Sequence, residues 1–220
     1  MAVKVKICGV RTPAIIEAAA AEGAHYVGLV LFERSPRHVE VEEARVLAAV
    51  ARGKIGTVAV LVDPDDALIE GVAERVRPDL IQLHGSGTPE RVTAIKTRTG
   101  LPVMKAIPVA EASDVVQAEA YAGIADYILF DAKAAPDAMR PGGFGESFDW
   151  ALLRDAKPPF ALSGGLNPDN VAAAVRVTGA SLVDVSSGVE SEAGMKDARL
   201  VRSFVQAAKA AASASRAKAS

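Results

Sequence analysis

Short, almost wholly apolar runs recur along this chain, each separated from the next by a longer stretch, most of them amphipathic and rich in alanine. Eight runs can be marked: Val3 to Cys8, Tyr26 to Phe32, Ile55 to Val62, Asp79 to Leu83, Pro102 to Ile107, Tyr127 to Asp131, Phe160 to Leu162, and Leu182 to Val185. Their apolar character is continuous rather than alternating, clearest from Tyr26 to Phe32 and from Thr57 to Val62, which predicts parallel strands covered on both faces. The stretches Pro13 to Glu22, Val41 to Arg52, Ala67 to Arg77, Pro89 to Thr99, Ala112 to Ala122 and Asn170 to Val177 predict the crossover helices. Thr12-Pro13 and Thr88-Pro89-Glu90 each set a cap residue before a first-turn proline, so two helices have chemically defined starts. Eight strand-and-helix units predict an α/β fold, a single (β/α)8 TIM barrel over residues 1–211, with a doubly wound open sheet as the second choice. Beyond Ala211 the periodicity is lost, and residues 212–220 read as a frayed helical end or flexible tail.

Three long connections interrupt this rhythm, Glu33 to Glu40, Ala132 to Ser147 and Gly188 to Lys196, and all follow strands. In a barrel such loops share the face at the C-terminal ends of the strands, where sites are built. Gly142, Gly143 and Gly145 make the middle connection a mobile-lid candidate, against the plainer reading of an insert.

Composition narrows the function. The chain has 220 residues, 50% hydrophobic and 24% charged, with a formal net charge of -2, enough for one sizeable core. It carries no Lys/Arg stripe and no interleaved aromatic series, so nucleic acid is not an expected partner. Apolar stretches are strand-sized and the opening Met1-Ala2-Val3-Lys4-Val5-Lys6 runs straight into a strand, so neither a membrane nor a secretory signal is expected, and a cytoplasmic enzyme fits best. The lone Cys8 permits no intramolecular disulfide, and His25, His38 and His84 lack metal-ligand spacing, so no metal is predicted.

Ser163-Gly164-Gly165-Leu166 and Ser186-Ser187-Gly188-Val189 each follow a strand directly. Gly and Ser there leave backbone N–H groups to face an anion, and two such segments at consecutive strand ends point to a phosphorylated ligand more strongly than one glycine turn would. Groups suited to proton chemistry stand at other strand ends. Cys8 closes the first strand, either as a base at the barrel mouth or as a buried small hydrophobe. Asp131 ends the apolar run Tyr127-Ile128-Leu129-Phe130, where poor solvation would raise its pKa and fit it to donate a proton, unless it caps the next loop. Arg37, in Arg34-Ser35-Pro36-Arg37-His38, is either a carboxylate fork or an ordinary loop arginine. His84 reads as a polar contact, an acid-base group or loop filler, and Asp184 as a support or cap for the loop after it.

Taken together, Lys6-Ile7-Cys8-Gly9-Val10, Ser35-Pro36-Arg37-His38, Gln82-Leu83-His84-Gly85, Ser163 to Val171 and Asp184-Val185-Ser186-Ser187-Gly188-Val189-Glu190 closely resemble the phosphoribosylanthranilate isomerase family over nearly the whole chain. The resemblance implies a (β/α)8 barrel, no cofactor, and an Amadori rearrangement of N-(5-phospho-β-D-ribosyl)anthranilate to 1-(2-carboxyphenylamino)-1-deoxy-D-ribulose 5-phosphate in tryptophan biosynthesis. It implies Cys8 as general base, helped toward thiolate by Lys6 or by the cationic intermediate, and Asp131 as general acid. It places Arg37 on the anthranilate carboxylate, His84 and Asp184 among the substrate contacts, and Gly164, Gly165, Ser186, Ser187 and Gly188 at the phosphate. The expected partner is that small molecule, with the chain a monomer or homodimer. One departure is Phe144, an aromatic within Gly142-Gly143-Phe144-Gly145 where a small or polar residue is expected, which bears on lid motion. The alternatives are another phosphosugar isomerase or epimerase on the same barrel, and a non-catalytic phosphometabolite sensor.

Overall fold

A computed structural model describes residues 3–133, 147–154, 156–157 and 159–217. Most of the proposed lid, including Gly142, Gly143, Phe144 and Gly145, lies outside the described residues. All eight apolar runs are strands: β1 Lys4–Cys8, β2 Tyr26–Val30, β3 Gly56–Val62, β4 Leu80–His84, β5 Val103–Val109, β6 Tyr127–Ala132, β7 Ala161–Leu162 and β8 Leu182–Val185. They pair in sequence order, all parallel, and close into a barrel where β1 meets β8 with Lys6 opposite Asp184. The open-sheet alternative falls, because a doubly wound sheet would leave two unpaired edges.

Period-two alternation divides the strand residues between two cores. Val5, Ile7, Val27, Leu29, Ala59, Leu61, Ile81, Leu83, Phe130, Leu162, Val183 and Val185 face outward and pack under the helices. Val30, Val58, Val60, Leu80, Met104, Ala106, Leu129, Ala161 and Leu182 fill the barrel interior with Cys8. The inward parity therefore also carries Lys6 and Cys8 on β1, Gln82 and His84 on β4, Asp131 on β6, Asp184 on β8, and Ser163 and Ser186 just past β7 and β8.

The helices are α1 Pro13–Ala21, α2 Val41–Ala51, α3 Asp66–Gly71, α4 Pro89–Thr99, α5 Ala112–Val116, α6 Val171–Thr178 and α7 Ala198–Ala217. Two are shorter than expected: α3 passes into a π turn, Val72–Val76, ended by the left-handed Arg77, and α5 tightens into a 3-10 turn, Gln117–Tyr121. Thr88 caps α4 by accepting from the Arg91 N–H, whereas Thr12 occupies the N-cap of α1 without a side-chain cap bond.

Helix α7 is absent from the sequence expectation and runs on past Ala211. It buries Val201, Phe204, Val205 and Ala208 and packs on α1 and α6, which closes the helical layer over the β1/β8 seam. The expected loop Gly188 to Lys196 is also built: a 3-10 turn, Ser187–Val189, leads into an antiparallel hairpin, β9 Glu190–Glu192 and β10 Met195–Lys196. Among the described residues, no helix is long and apolar enough to cross a membrane.

Candidate active site

At the C-terminal mouth of the barrel one cavity is lined by Cys8, Arg37, His84, Asp131, Asp184 and Ser186, together with Gln82, Ser163, Ser35 and the apolar Val30, Phe32, Val60 and Val62. Six of the sequence-derived site residues thus meet there. They do so because strands of a closed parallel barrel deliver every inward-facing end residue to the same face.

Lys6 lies beneath this cavity. It is wholly buried and donates to Asp184 Oδ2 at 2.8 Å. Burial works against its charge, but Asp184 and Cys8 outweigh that and raise its pKa, so it stays an ammonium. Burial pushes the Cys8 thiol up, and Asp184 pushes it further, while Lys6 and Lys196 pull it down. Gly28, paired with Cys8 across β1 and β2, leaves the room: a Cβ there would lie 3.0 Å from Cys8 Sγ and 3.1 Å from Lys6 Nζ.

Asp131 sits on the neighbouring arc of the mouth and is buried. Desolvation and the Asp184 carboxylate raise its pKa to about 6, against smaller opposing contributions from Ser163, the Ala132 N–H and Lys6. Asp184 is also raised, by burial, with Lys6 and Lys196 pulling it back. Among the described residues its Oδ1 is buried without a hydrogen-bond partner, while Oδ2 accepts from Lys6. His84 Nε2 lies 2.8 Å from Gln82 Nε2. Burial and the Lys6 and Lys105 charges lower His84 to about 3, so it is a neutral imidazole whose Nδ1 carries the proton when the Gln82 amide donates to Nε2.

Arg37 reaches the cavity wall already oriented. Its Nε and Nη2 donate to Glu190 Oε1 and Oε2 at 2.7 and 2.8 Å, a bidentate fork that sequence reasoning missed.

The two glycine-serine segments stand side by side after β7 and β8. Their contact is close: a Cβ on Gly188 would lie 1.9 Å from the Leu166 carbonyl oxygen. Gly164 and Gly165 adopt φ of 89° and 62°, conformations that suit glycine, and Asn170 Nδ2 holds the Gly165 carbonyl at 2.8 Å. Among the described residues the N–H groups of Gly164, Gly165, Leu166 and Ser186 have no acceptor. That cluster of donors beside the start of a 3-10 turn suits a phosphate dianion.

Gly28, Gln82, Glu190 and Lys196 join the site without having been assigned a role from sequence, whereas Lys6 was expected there as a helper of Cys8. For Gly28 the signal was a glycine inside an apolar strand run. For Glu190 it was a charged residue closing the Ser186-Ser187-Gly188-Val189-Glu190 motif. Lys196 carried no local signal at all.

A family model described as N-(5'phosphoribosyl)anthranilate (PRA) isomerase matches residues 5–207. An N-(5'-phosphoribosyl)anthranilate isomerase of Rhodopseudomonas palustris (strain BisB5) is 57% identical over 96% of this chain and 97% of its own length. The crystal structure of phosphoribosyl anthranilate isomerase from Thermotoga maritima superposes with a TM-score of 0.85 at 36% identity, covering 94% of this chain and 99% of that one. A phosphoribosyl anthranilate isomerase in complex with reduced 1-(o-carboxyphenylamino)-1-deoxyribulose 5-phosphate gives 0.82 at 34% identity, over 94% and 99%. A family match along nearly the whole barrel, and more than half the residues shared with a full-length relative, establish that the chain belongs to the phosphoribosylanthranilate isomerase family.

Proposed function

We propose that this barrel isomerises N-(5'-phosphoribosyl)anthranilate to its amino-ketose by general acid-base catalysis, with Asp131 as acid and Cys8 as base. The observation that carries the reading is the mouth cavity in which a carboxyl held near pH 6 and a cysteine beside a buried ammonium share the walls with Arg37 and Ser186. Both ends of a phosphorylated aromatic acid have a complementary group there. The phosphate would take N–H donors from Gly164, Gly165 and Leu166 on one segment and from Ser186, Ser187 and Gly188 on the other. The ring carboxylate would approach Arg37 from the cavity side. Two anchors fix the sugar between acid and base, which converts proximity into rate.

Asp131 would protonate the ring oxygen as the C1–O bond breaks and the anilino nitrogen lone pair forms the iminium. Cys8 would then take the proton from C2, and the electrons of that C–H bond neutralise the iminium to give an enolamine, which ketonises. The cationic iminium adds to the pull of Lys6 and Lys196 on the thiol, so the base is made in the step that needs it. Asp184 Oδ1, buried and unpartnered, is suited to accept a sugar hydroxyl. Neutral His84 is suited to donate a hydrogen bond rather than to carry the proton.

The test is the decay of phosphoribosylanthranilate fluorescence with purified protein; decay no faster than the spontaneous background would remove the enzyme reading. With that assay kcat/KM is expected to rise with pH through about 6, stay level, and fall again as Cys8 loses its proton. The active form has Asp131 protonated and Cys8 ionised. It is a minor tautomer of the singly protonated pair, so its population follows that pair, with macroscopic limbs belonging to both groups. A pH-independent profile between pH 5 and 7 would contradict the assignment. Arg37→Ala is expected to lower kcat/KM by ~100-fold, mostly through KM, since it removes an anchor distant from the proton transfers. Steady-state kinetics with an unchanged KM would take Arg37 off the carboxylate.

A further inference from the structure

Glu190 closes the motif after β8, yet neither acid, base nor phosphate contact needs it. Its carboxylate is nonetheless the centre of a buried charged network: the side chains of Arg37 and Glu190 are each 5% exposed and that of Lys196 is 1% exposed. Arg37 grips both carboxylate oxygens, and Lys196 bonds Oε1 from the other side. Lys196 also donates to the Ser186 carbonyl at 3.2 Å and reaches Ser186 Oγ at 3.4 Å, and Ser186 Oγ in turn donates to the Cys8 carbonyl at 3.2 Å. A continuous chain of polar contacts therefore runs from Arg37 through Glu190 and Lys196 to the phosphate segment and the strand end that carries Cys8.

The backbone supports the same connection. The hairpin β9–β10 turns at Gly194, whose φ is 84°, and lies so close to the loop bearing Arg37 that a Cβ would come within 2.5 Å of the Pro36 carbonyl oxygen. Burial raises the Glu190 pKa, but Arg37 and Lys196 outweigh it and hold the carboxylate at about 2, so Glu190 stays ionised across the working range. A buried carboxylate between two cations constrains the guanidinium plane, because both fork bonds must be kept or a buried charge is left short of partners.

From this geometry we infer that Glu190 is a positioning residue: it fixes the guanidinium of Arg37 at the height and angle at which the substrate's ring carboxylate is met, and Lys196 references that position to the phosphate loop. The inference rests on the reading of Arg37 as the carboxylate anchor. Specificity for an ortho-carboxylated aryl amine is then a property of the spacing between two preset anchors rather than of Arg37 alone.

The experiment measures inhibition by two probes, reduced 1-(o-carboxyphenylamino)-1-deoxyribulose 5-phosphate and its anilino counterpart lacking the ring carboxylate. Glu190→Gln is expected to weaken the first by ~10- to 100-fold, in line with the cost of a misplaced anchor. The second should weaken by less than about 2-fold, because Lys196 keeps its bond to the Ser186 carbonyl, so the phosphate segment stays held, and that probe presents nothing to Arg37. In an Arg37→Ala background the same substitution should change either probe by less than about 2-fold, since a positioning residue has nothing left to position. Equal weakening of both probes would show general loosening, and an undiminished loss in the Arg37→Ala background would show an independent role; either overturns the inference. So does an unchanged first probe. If Glu190→Gln fails to fold, Glu190→Asp keeps the charge between its two cations while withdrawing the fork by one methylene, and should show the same selective loss. Failure of the underlying reading is separately visible, since Arg37→Ala alone would then weaken both probes alike.

Discussion

Asp131→Asn is expected to lower turnover by at least ~100-fold and, at neutral pH, to make the folded protein more stable. The two effects share one cause. The carboxyl titrates at 3.8 in its ordinary state and at about 6 in the fold, because desolvation and the Asp184 charge disfavour its ionised form. Between those values the folded chain holds a proton that the unfolded chain has released, so unfolding free energy falls as pH rises from about 4 to about 6 and is level above. The gap between the two values corresponds to ~3 kcal/mol at pH 7, an upper figure for what a neutral amide recovers. For a chain of this size that is at most roughly 6–12 °C in the unfolding midpoint. Thermal unfolding at pH 7.5 and pH 4 checks it: the variant should gain at the first and show little gain at the second. A variant that is active within tenfold of the parent, or equally destabilised at both pH values, would end the assignment of Asp131 as a strained acid.

The second large effect is at Cys8. Cys8→Ser should cost at least ~100-fold in turnover with little change in folding, because a serine occupies the same inward position with a smaller side chain. The difference is acidity. The thiol is raised by burial but drawn back by Lys6 and Lys196, whereas a hydroxyl at the same point is too weak an acid for those cations to ionise. Single-turnover fluorescence decay separates this from slow product release. Near-normal decay in Cys8→Ser would remove Cys8 as the base and leave the proton at C2 without a named acceptor.

Much of the fold was written locally. Fully buried parallel strands must be continuous apolar runs, and from Val3–Cys8 to Leu182–Val185 all eight were legible, as were the helix starts at Pro13 and Pro89. Helix α7 was also legible in principle, since Val201, Phe204, Val205 and Ala208 recur at helical spacing, but the polar, alanine-rich sequence after them blurs that period. The hairpin Glu190–Lys196 was not. Its strands are three and two residues long, too short to show a period, and its sides are tied by Glu190 and Lys196 to Arg37 and Ser186 rather than by an apolar face.

The candidate site divides in the same way. Cys8, Asp131, His84 and the two glycine-serine segments stand at strand ends, and strand ends of a parallel barrel converge, so their common location followed once the barrel was recognised. What the sequence by itself determined was the set of strands, their inward parity, and therefore which side chains could reach the mouth. Only the tertiary structure decided how those groups are charged. Closing β8 onto β1 buries Lys6 against Asp184 beside Cys8, and the hairpin delivers Glu190 to Arg37 across 153 residues of sequence. Local pattern can encode which face a residue turns to, but pKa and orientation depend on neighbours brought together by closure, where low solvation makes each charge felt.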